Sequence, residues 1–401
     1  MKMKKFSIAL FLILFSFGCS SLFTKNRSNP VTASHEERVL PFDSSNFTIL
    51  KEKQVATSKV LTTPMTTHFM AVYWQRSPDF DYDYNFLIRS SADGKQWSRW
   101  KDVFLMAEGS DQEMELYDYS QLIYTKGAKF FQFKMVRINF SEVHFGEFHF
   151  VFIDSRKSLS PLMAQKQRMR DAKKPVSVTR EEWGSDEQLS WRSETPIPLH
   201  HISHLFLHHS ALDTQLPHDV CDDAVRAYQL YHVKTKKWGD LGYHYLICQH
   251  GVLFEGRRGA HSFTDVVGAH AKGFNRHSLG ICIVGSYVDS SLINQTEKIS
   301  LVREMIEKGE LRDENDLYGI GPTPSKNVQN TIIDFLSWKT RQYRINPQGR
   351  SLYPKESLNK TARLLPNILG YQDVTSTLSP GPHLYKLIPS LRAAVAEKMK
   401  N

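Results

Sequence analysis

The chain of 401 residues has only four cysteines, which are Cys19, Cys221, Cys248 and Cys282. So few cysteines exclude a small fold held together mainly by disulfides. Cys248 and Cys282 each fall in an apolar stretch typical of a central strand, where a cysteine usually serves as a small buried side chain. The alternative, in an oxidising compartment, is one disulfide plus one unpaired thiol.

The sequence also lacks a dense block of basic residues interleaved with aromatic ones, although Lys and Arg outnumber Asp and Glu by 51 to 42. We therefore expect no nucleic-acid partner. The formal net charge of +9 favours acidic partners in a general way, such as anionic lipid head groups or an anionic cell-wall polymer. Length and an apolar fraction of 41% predict two domains of ordinary size, each with a packed core.

Outside the N-terminus, no stretch is long and apolar enough to predict a membrane helix. A basic start and the short apolar segment 8–17 precede Gly18 and Cys19. This arrangement resembles a bacterial lipoprotein processing site, which implies that Cys19 is lipidated and anchors the protein to a membrane of the cell envelope. Ser16 and Phe17 depart from the usual pattern, so ordinary signal-peptide cleavage nearby is the alternative. Either way, residues 1–19 are excluded from the fold.

Residues 20–45 are polar and predict a flexible tether. From 46 to 156 the pattern is β, with several short strands and turns that predict a β-sandwich domain. The segment 69–74 is apolar on both faces, so we expect its strand to lie inside the sheet. Trp97 and Trp100 favour packing in the sandwich core, and a platform for stacking sugars is the alternative.

Residues 157–175 are charged and end at a proline, which predicts an interdomain linker. From 176 to 401 strands alternate with amphipathic helices, so the fold class is α/β, with a central mixed sheet flanked by helices. Helices are predicted from Asp222 and around Val328 to Leu336. Residues 289–325 are more charged and are interpreted as an insertion.

Six short motifs follow one another within this second domain. They are Arg180-x-x-Trp183-Gly184, His208-His209-Ser210, Gly242-Tyr243-His244, Glu255-Gly256-Arg257, Gly268-Ala269-His270-Ala271 and Gly273-x-Asn275-x-x-Ser278-x-Gly280-Ile281. In this order they resemble the zinc N-acetylmuramoyl-L-alanine amidases and their relatives, the peptidoglycan recognition proteins. The resemblance covers residues 176–392 and implies a groove for peptidoglycan.

In that family a zinc ion activates the water that hydrolyses the amide, and three side chains hold it with one position open. The resemblance places the first ligand at His208. The other two positions fall in the stretch 370–381, at Tyr371 and Ser379, where the family has histidine and cysteine. A neutral phenol and an alcohol are poor zinc ligands beside imidazole and thiolate. The sequence therefore predicts a degenerate zinc site.

The resemblance also carries catalytic positions onto Tyr243, which would assist the bound water or oxyanion, and onto Thr377, which would help to polarise the carbonyl. The alternatives are a core tyrosine and a loop cap. The substrate-binding positions implied by the resemblance are His209, Arg257, His270 and Asn275. Structural roles are again the alternative, such as a loop cap for Asn275 or an ion pair with Glu255 for Arg257.

These observations predict a lipoprotein that binds peptidoglycan or muropeptides without cutting them and needs no cofactor. One alternative is an active zinc amidase, whose site would be rebuilt from His208, His209 and His270. Neighbouring residues on one strand point to opposite faces, which argues against a metal shared by His208 and His209. The other alternative is a scaffold that docks another envelope protein.

Overall fold

The structure of the chain is a computed structural model, which describes twelve ranges of residues. They are 33–76, 85–111, 116–136, 145–156, 175–191, 196–199, 201–212, 216–217, 220–257, 265–287, 323–356 and 358–400. The expected leader with Cys19, nearly all of the expected linker at 157–175 and nearly all of the expected insertion at 289–325 lie outside these ranges. Residues from Ala33 onward form one compact unit.

The N-terminal region is all β, as the sequence predicted. Its strands are β1 (Ser34–Pro41), β2 (Phe47–Leu50), β3 (Val55–Ser58), β4 (Leu61–Gln75), β5 (Asn85–Ser91), β6 (Lys101–Asp102), β7 (Tyr117–Tyr119), β8 (Ile123–Val136) and β9 (Glu147–Asp154). Hydrogen bonds join all nine into one antiparallel sheet with the main order β1-β9-β4-β8-β3-β2. Strands β5 and β7 pair alongside β8 and β4, and β6 pairs with β5.

Strand β4 lies inside this sheet, between β8 and β9, as its apolar pattern predicted. Its two faces serve two different cores because successive side chains of a strand alternate. Met70 and Val72 pack into the core of the β region. Phe69 and Ala71 pack into a second core, which also contains helix residues from the C-terminal half of the chain. The sheet is therefore buried against the second half of the molecule.

The expectation of a flexible tether over 20–45 is wrong for its last part. Ser34–Pro41 forms β1, whose residues pair one by one with β9. This strand has few apolar side chains to bury, but the main chain alone supplies its hydrogen bonds to the neighbouring strand. A short, polar strand is typical of a sheet edge, where charged side chains discourage further pairing.

The C-terminal half is α/β and confirms the predicted fold class. Its strands are β10 (His204–His209), β11 (Tyr245–Ile247), β12 (Leu253–Glu255), β13 (Ser278–Ile283), β14 (Arg350–Tyr353), β15 (Arg363–Pro366) and β16 (Ile368–Gly370). Its helices are α1 (Arg180–Trp183), α2 (Cys221–Leu230), α3 (Lys326–Tyr343) and α4 (Pro382–Lys400). A π-helical turn, Tyr231–Thr235, extends α2, and a 3-10 turn, Tyr371–Asp373, follows β16.

Five strands form a mixed sheet in the order β12-β11-β13-β10-β16. Strand β10 lies between β13 and β16 and is parallel to both. Helix α2 packs with the β region against one face. Helices α3 and α4 cover the other face, where Val328, Ile332 and Leu336 of α3 meet Leu205 and Leu207 of β10. Among the described helices, none has the length and apolarity that a membrane crossing requires.

A disulfide joins Cys221, at the start of α2, to Cys248, just after β11. Cys282 is a buried free thiol in β13. Among the three cysteines that the structure describes, the open question about pairing is thus resolved as one disulfide plus one thiol. The cross-link ties helix α2 to the central sheet across 27 residues of chain.

We predict that replacing both Cys221 and Cys248 by serine lowers the free energy of unfolding by roughly 2–4 kcal/mol, because the unfolded chain loses its constraint. Denaturant unfolding with and without dithiothreitol measures this. The reductant should lower the stability of the native protein to that of the double variant and leave the variant itself unchanged. Equal stability of the oxidised and reduced native protein would contradict the assignment.

Candidate functional site

Strand β10 is buried along its whole length and ends in the two histidines singled out in the sequence. Phe206 and His208 lie on the face turned towards the N-terminal region, with their ring centroids 6.3 Å apart. His209 points to the opposite face, where its Nδ1 accepts a hydrogen bond from the backbone N–H of Tyr287 at 3.3 Å. The two imidazoles therefore occupy different environments.

His270 is the nearest histidine partner of His208, with 3.1 Å between Nε2 of His208 and Nδ1 of His270. Asn275 fixes the turn that carries His270, since its Oδ1 accepts the backbone N–H groups of His270 and Ala271, each at 2.9 Å. The His270 ring lies directly over Gly280 of β13, where a Cβ atom would come within 2.2 Å of the ring. Gly280 thus leaves the space that brings His270 to His208.

The resemblance implies zinc ligands at the positions of Tyr371 and Ser379, and both side chains are engaged in hydrogen bonds elsewhere. The Tyr371 ring lies 4.9 Å from the His208 ring, but its hydroxyl donates to the backbone carbonyl of Ala107 at 2.9 Å. The Ser379 hydroxyl oxygen accepts the backbone N–H of His209 at 3.2 Å. Thr377 caps the same loop, with its hydroxyl oxygen accepting the N–H of Ser379 at 3.2 Å.

A segment of the N-terminal region fills the space in front of His208. We call this segment, residues 106–111, the inserted loop. The Glu108 carboxylate reaches into the site, with its Oε1 3.7 Å from Nδ1 of His208, and its Oε2 accepts from the Gln121 amide at 3.0 Å. Sequence reasoning missed Glu108, because nothing in its local pattern indicates a contact with a residue one hundred positions away.

The far end of the inserted loop is bound by the turn that supports His270. The Asn275 amide donates to the carbonyl of Gly109 at 3.0 Å and to the Asp111 carboxylate at 2.8 Å. The backbone N–H of Gly273 donates to the same carboxylate oxygen, also at 2.8 Å. Asn275 therefore holds both its own turn and the inserted loop.

The site is closed to solvent: His208 and His270 are 0% exposed, and Tyr243 and Tyr371 are 1% exposed. Burial by itself raises the pKa of Glu108, but contact with His208 lowers it more, so that the net pKa lies below the usual value. Burial also lowers the pKa of His208, against the opposing effect of Glu108. Burial and the charge of Glu108 hold the pKa of Tyr243 well above its usual range.

Three buried polar atoms at this place lack a hydrogen-bond partner among the described residues. They are Oε1 of Glu108, Nδ1 of His208 and the hydroxyl of Tyr243. A buried polar atom left unsatisfied costs roughly 1–3 kcal/mol. The closed arrangement of the inserted loop therefore carries an energetic penalty at the point where Glu108 meets His208.

The donor set does not fit a family-type zinc site, which needs three nitrogen, sulfur or carboxylate donors converging on one point. His209 faces away, and His270 is hydrogen-bonded to His208 itself. Within the described ranges, one group of three such side chains has its ligand atoms within 4.8 Å of one another. It consists of Cys221, Cys248 and His250. Its two cysteines form the disulfide, so it offers no thiolates.

Arg257, another predicted ligand contact, supports the fold behind the site. Its guanidinium donates to the backbone carbonyls of Asp240 and Leu241 at 3.2 and 2.9 Å and lies 4.6 Å from the Trp191 ring centre. Of the predicted site residues, the structure thus gathers His208, Tyr243, His270, Asn275 and Tyr371 around the inserted loop. His209, Arg257 and Thr377 contact other groups. Their substrate contacts stay predictions.

We predict that Gly280→Ala lowers the free energy of unfolding by about 1–3 kcal/mol or more, because the new methyl group collides with the buried His270 ring. Gly146→Ala is the matched control, since nothing lies within 4 Å of the atom it adds. The control should change stability by less than about 0.5 kcal/mol. Denaturant unfolding of both variants tests this, and an unperturbed Gly280→Ala protein would contradict the packing described.

Buried histidines should make the fold less stable in mild acid. Burial lowers the pKa values of His204 and His209 to about 4 and of His244 to about 3, so between these values and 6.5 the unfolded chain binds more protons. Each histidine that is neutral in the folded protein but protonated in the unfolded chain lowers the free energy of unfolding by roughly 1.4 kcal/mol per pH unit. Burial raises the pKa values of Asp223 and Asp265 to about 6, which offsets part of this loss. Unfolding measured at pH 7, 6 and 5 should show falling stability; rising stability would contradict the histidine burial.

The profile of the N-acetylmuramoyl-L-alanine amidase family matches residues 198–382. Peptidoglycan-recognition protein SC2 of Drosophila melanogaster is 30% identical over 169 residues, which cover 40% of this chain and 87% of that protein. Peptidoglycan-recognition protein 2 of Holotrichia diomphalia is 30% identical over 171 residues, which cover 41% of this chain and 86% of that protein.

Among solved structures, bumblebee PGRP-SA is similar with a TM-score of 0.37 and 19% sequence identity, covering 54% of this chain and 94% of that chain. The region that the family profile matches, residues 198–382, contains β10 to β16 and the residues around His208. The 30% identity to relatives that are covered over most of their length establishes the relationship. This chain is therefore a member of the N-acetylmuramoyl-L-alanine amidase family, together with the peptidoglycan-recognition proteins.

Proposed function

We propose that the protein binds peptidoglycan fragments through its amidase-like half and does not hydrolyse them. One observation supports the absence of hydrolysis. The side chains at the two positions where the family has its other zinc ligands carry hydroxyl groups, and each hydroxyl group is hydrogen-bonded to another part of the chain. Tyr371 donates to the Ala107 carbonyl, and the Ser379 oxygen accepts from the N–H of His209. A metal at His208 would lack two of its three family donors.

Family membership supports peptidoglycan as the ligand, because relatives at 30% identity are named for its recognition. The frame of the groove supports it as well. His270 and Asn275 are both fully buried, and the Asn275 amide directs its N–H donors to the groove, where the inserted loop accepts them. A binding groove needs such positioned polar groups, whereas hydrolysis also requires an activated water.

The expected leader indicates where this binding would take place. A lipidated Cys19 would tether the protein to a membrane of the bacterial cell envelope, where peptidoglycan lies within reach. A second candidate function is that of an envelope scaffold, favoured by the inserted loop, which fills the groove from within the same chain. Binding to purified cell wall separates the two candidates.

We predict that the purified mature protein, with its disulfide intact, co-sediments with peptidoglycan, contains far less than one zinc per chain and releases no stem peptide from cell wall. Zinc is measured by elemental analysis and release by chromatography of the soluble products. His250→Ala is the control for adventitious metal at a histidine beside the intact Cys221–Cys248 disulfide.

Stoichiometric zinc that is lost in His208→Ala but retained in His250→Ala, together with release of stem peptide abolished by a chelator, would establish an active amidase instead. Failure to co-sediment with peptidoglycan would leave the scaffold function as the better account. An unrelated insoluble polysaccharide, such as chitin, provides the control for non-specific sedimentation of a basic protein.

A further inference from the structure

The inserted loop presents to the groove the same groups that a bound peptide would present. Tyr371 and the Asn275 amide donate to two backbone carbonyls of the loop, those of Ala107 and Gly109. The Asn275 amide and the N–H of Gly273 donate to a carboxylate, that of Asp111. Each of these groove donors thus meets either a peptide carbonyl or an acid.

The Glu108 carboxylate adds a second acidic contact, opposite the imidazole of His208 at 3.7 Å. The occupant of the groove is therefore a short peptide segment with carboxylates three residues apart, one accepting carbonyl between them and another just before the first. Charge-assisted hydrogen bonds to such acids are stronger and more directional than neutral ones. A peptide that carries free carboxylates, like the acidic stem of a muropeptide, offers the same acceptors.

We infer that the inserted loop is an internal ligand of the groove, which competes with an acidic peptide ligand and must leave before a muropeptide binds. The inference rests on the proposed function and adds the chemical class of the ligand and a means of regulating the site. While the loop is in place, His208, Tyr243 and Tyr371 are 0–1% exposed, so a second occupant cannot reach them.

The closed arrangement is poised to open. The inserted loop has no regular secondary structure, and its position depends on side-chain contacts rather than on a sheet ladder. Its entry is anchored, because the N–H of Met106 donates to the carbonyl of Tyr119. Within the described chain, Glu108 Oε1 and the Tyr243 hydroxyl are buried without a hydrogen-bond partner, which weakens the closed state relative to an open, hydrated one.

The experiment compares the mature native protein with a variant carrying Glu108→Ala and Asp111→Ala. Calorimetry measures the affinity for a monomeric muropeptide and, separately, for a free acidic tetrapeptide of the stem composition. Hydrogen exchange monitors the backbone from 106 to 111 and the amide of Gly273. Asp93→Ala with Glu147→Ala is the matched control, because it removes two exposed acids from the same β region.

We expect the double variant to bind the muropeptide at least tenfold more tightly than the native protein and to lose protection at Gly273 without any ligand. In the native protein, muropeptide should cause loss of protection at 106–111 and retain it at Gly273, whose N–H would then donate to a carboxylate of the ligand instead of Asp111. The charge control should match the native protein in both measurements. Glu108→Gln, which keeps the size of the side chain, should give a smaller gain of about threefold and covers the case in which the double variant does not fold.

Equal affinities of the native protein and both loop variants would overturn the inference and leave the proposed function intact. Loss of protection at 106–111 in the double variant, without binding of muropeptide by any protein, would overturn the proposed function and with it the identity of the competing ligand. Binding of the free peptide as tight as that of the muropeptide assigns recognition to the acidic peptide; binding of muropeptide alone would overturn that assignment.

Discussion

The contact between Glu108 and His208 links the two halves of the molecule. One partner comes from the all-β region and the other from the end of a central strand of the α/β sheet. Two ionisable groups without solvent are tolerated only when each offsets the desolvation of the other. At 3.7 Å the contact is too long for a hydrogen bond and offsets this cost only in part, so the hydrogen bonds of the inserted loop to Tyr371 and Asn275 supply the remaining stabilisation.

The frame of the groove is intact although the expected metal donors are not. Gly280 keeps His270 against His208, and Asn275 fixes the turn beside them. These residues support backbone geometry, and their roles do not require a metal. Tyr371 and Ser379 have become part of the hydrogen bonding that holds the inserted loop and the end of β10. The hydrogen bonds of Tyr371 and Ser379 and the filling of the groove are thus two aspects of one arrangement.

Much of this could be predicted from local patterns. The inner position of β4, helices α2 and α3 and the opposite orientations of His208 and His209 follow from periodicities of 2 and 3.6 residues. The edge strand β1 could not be predicted, because its pairing relies on backbone groups that every sequence has. The Cys221–Cys248 pair was one of several that the sequence allowed. Glu108 was missed because its partner lies far away in the chain.

A crystal structure of the mature protein with a monomeric muropeptide, with anomalous data collected at the zinc edge, tests the central claim most directly. We expect the muropeptide to lie beside His208 and Asn275, residues 106–111 to be withdrawn from the groove, and no zinc peak to appear at His208. A zinc ion bound to His208 with Glu108, Tyr371 or Ser379 as further ligands would contradict it.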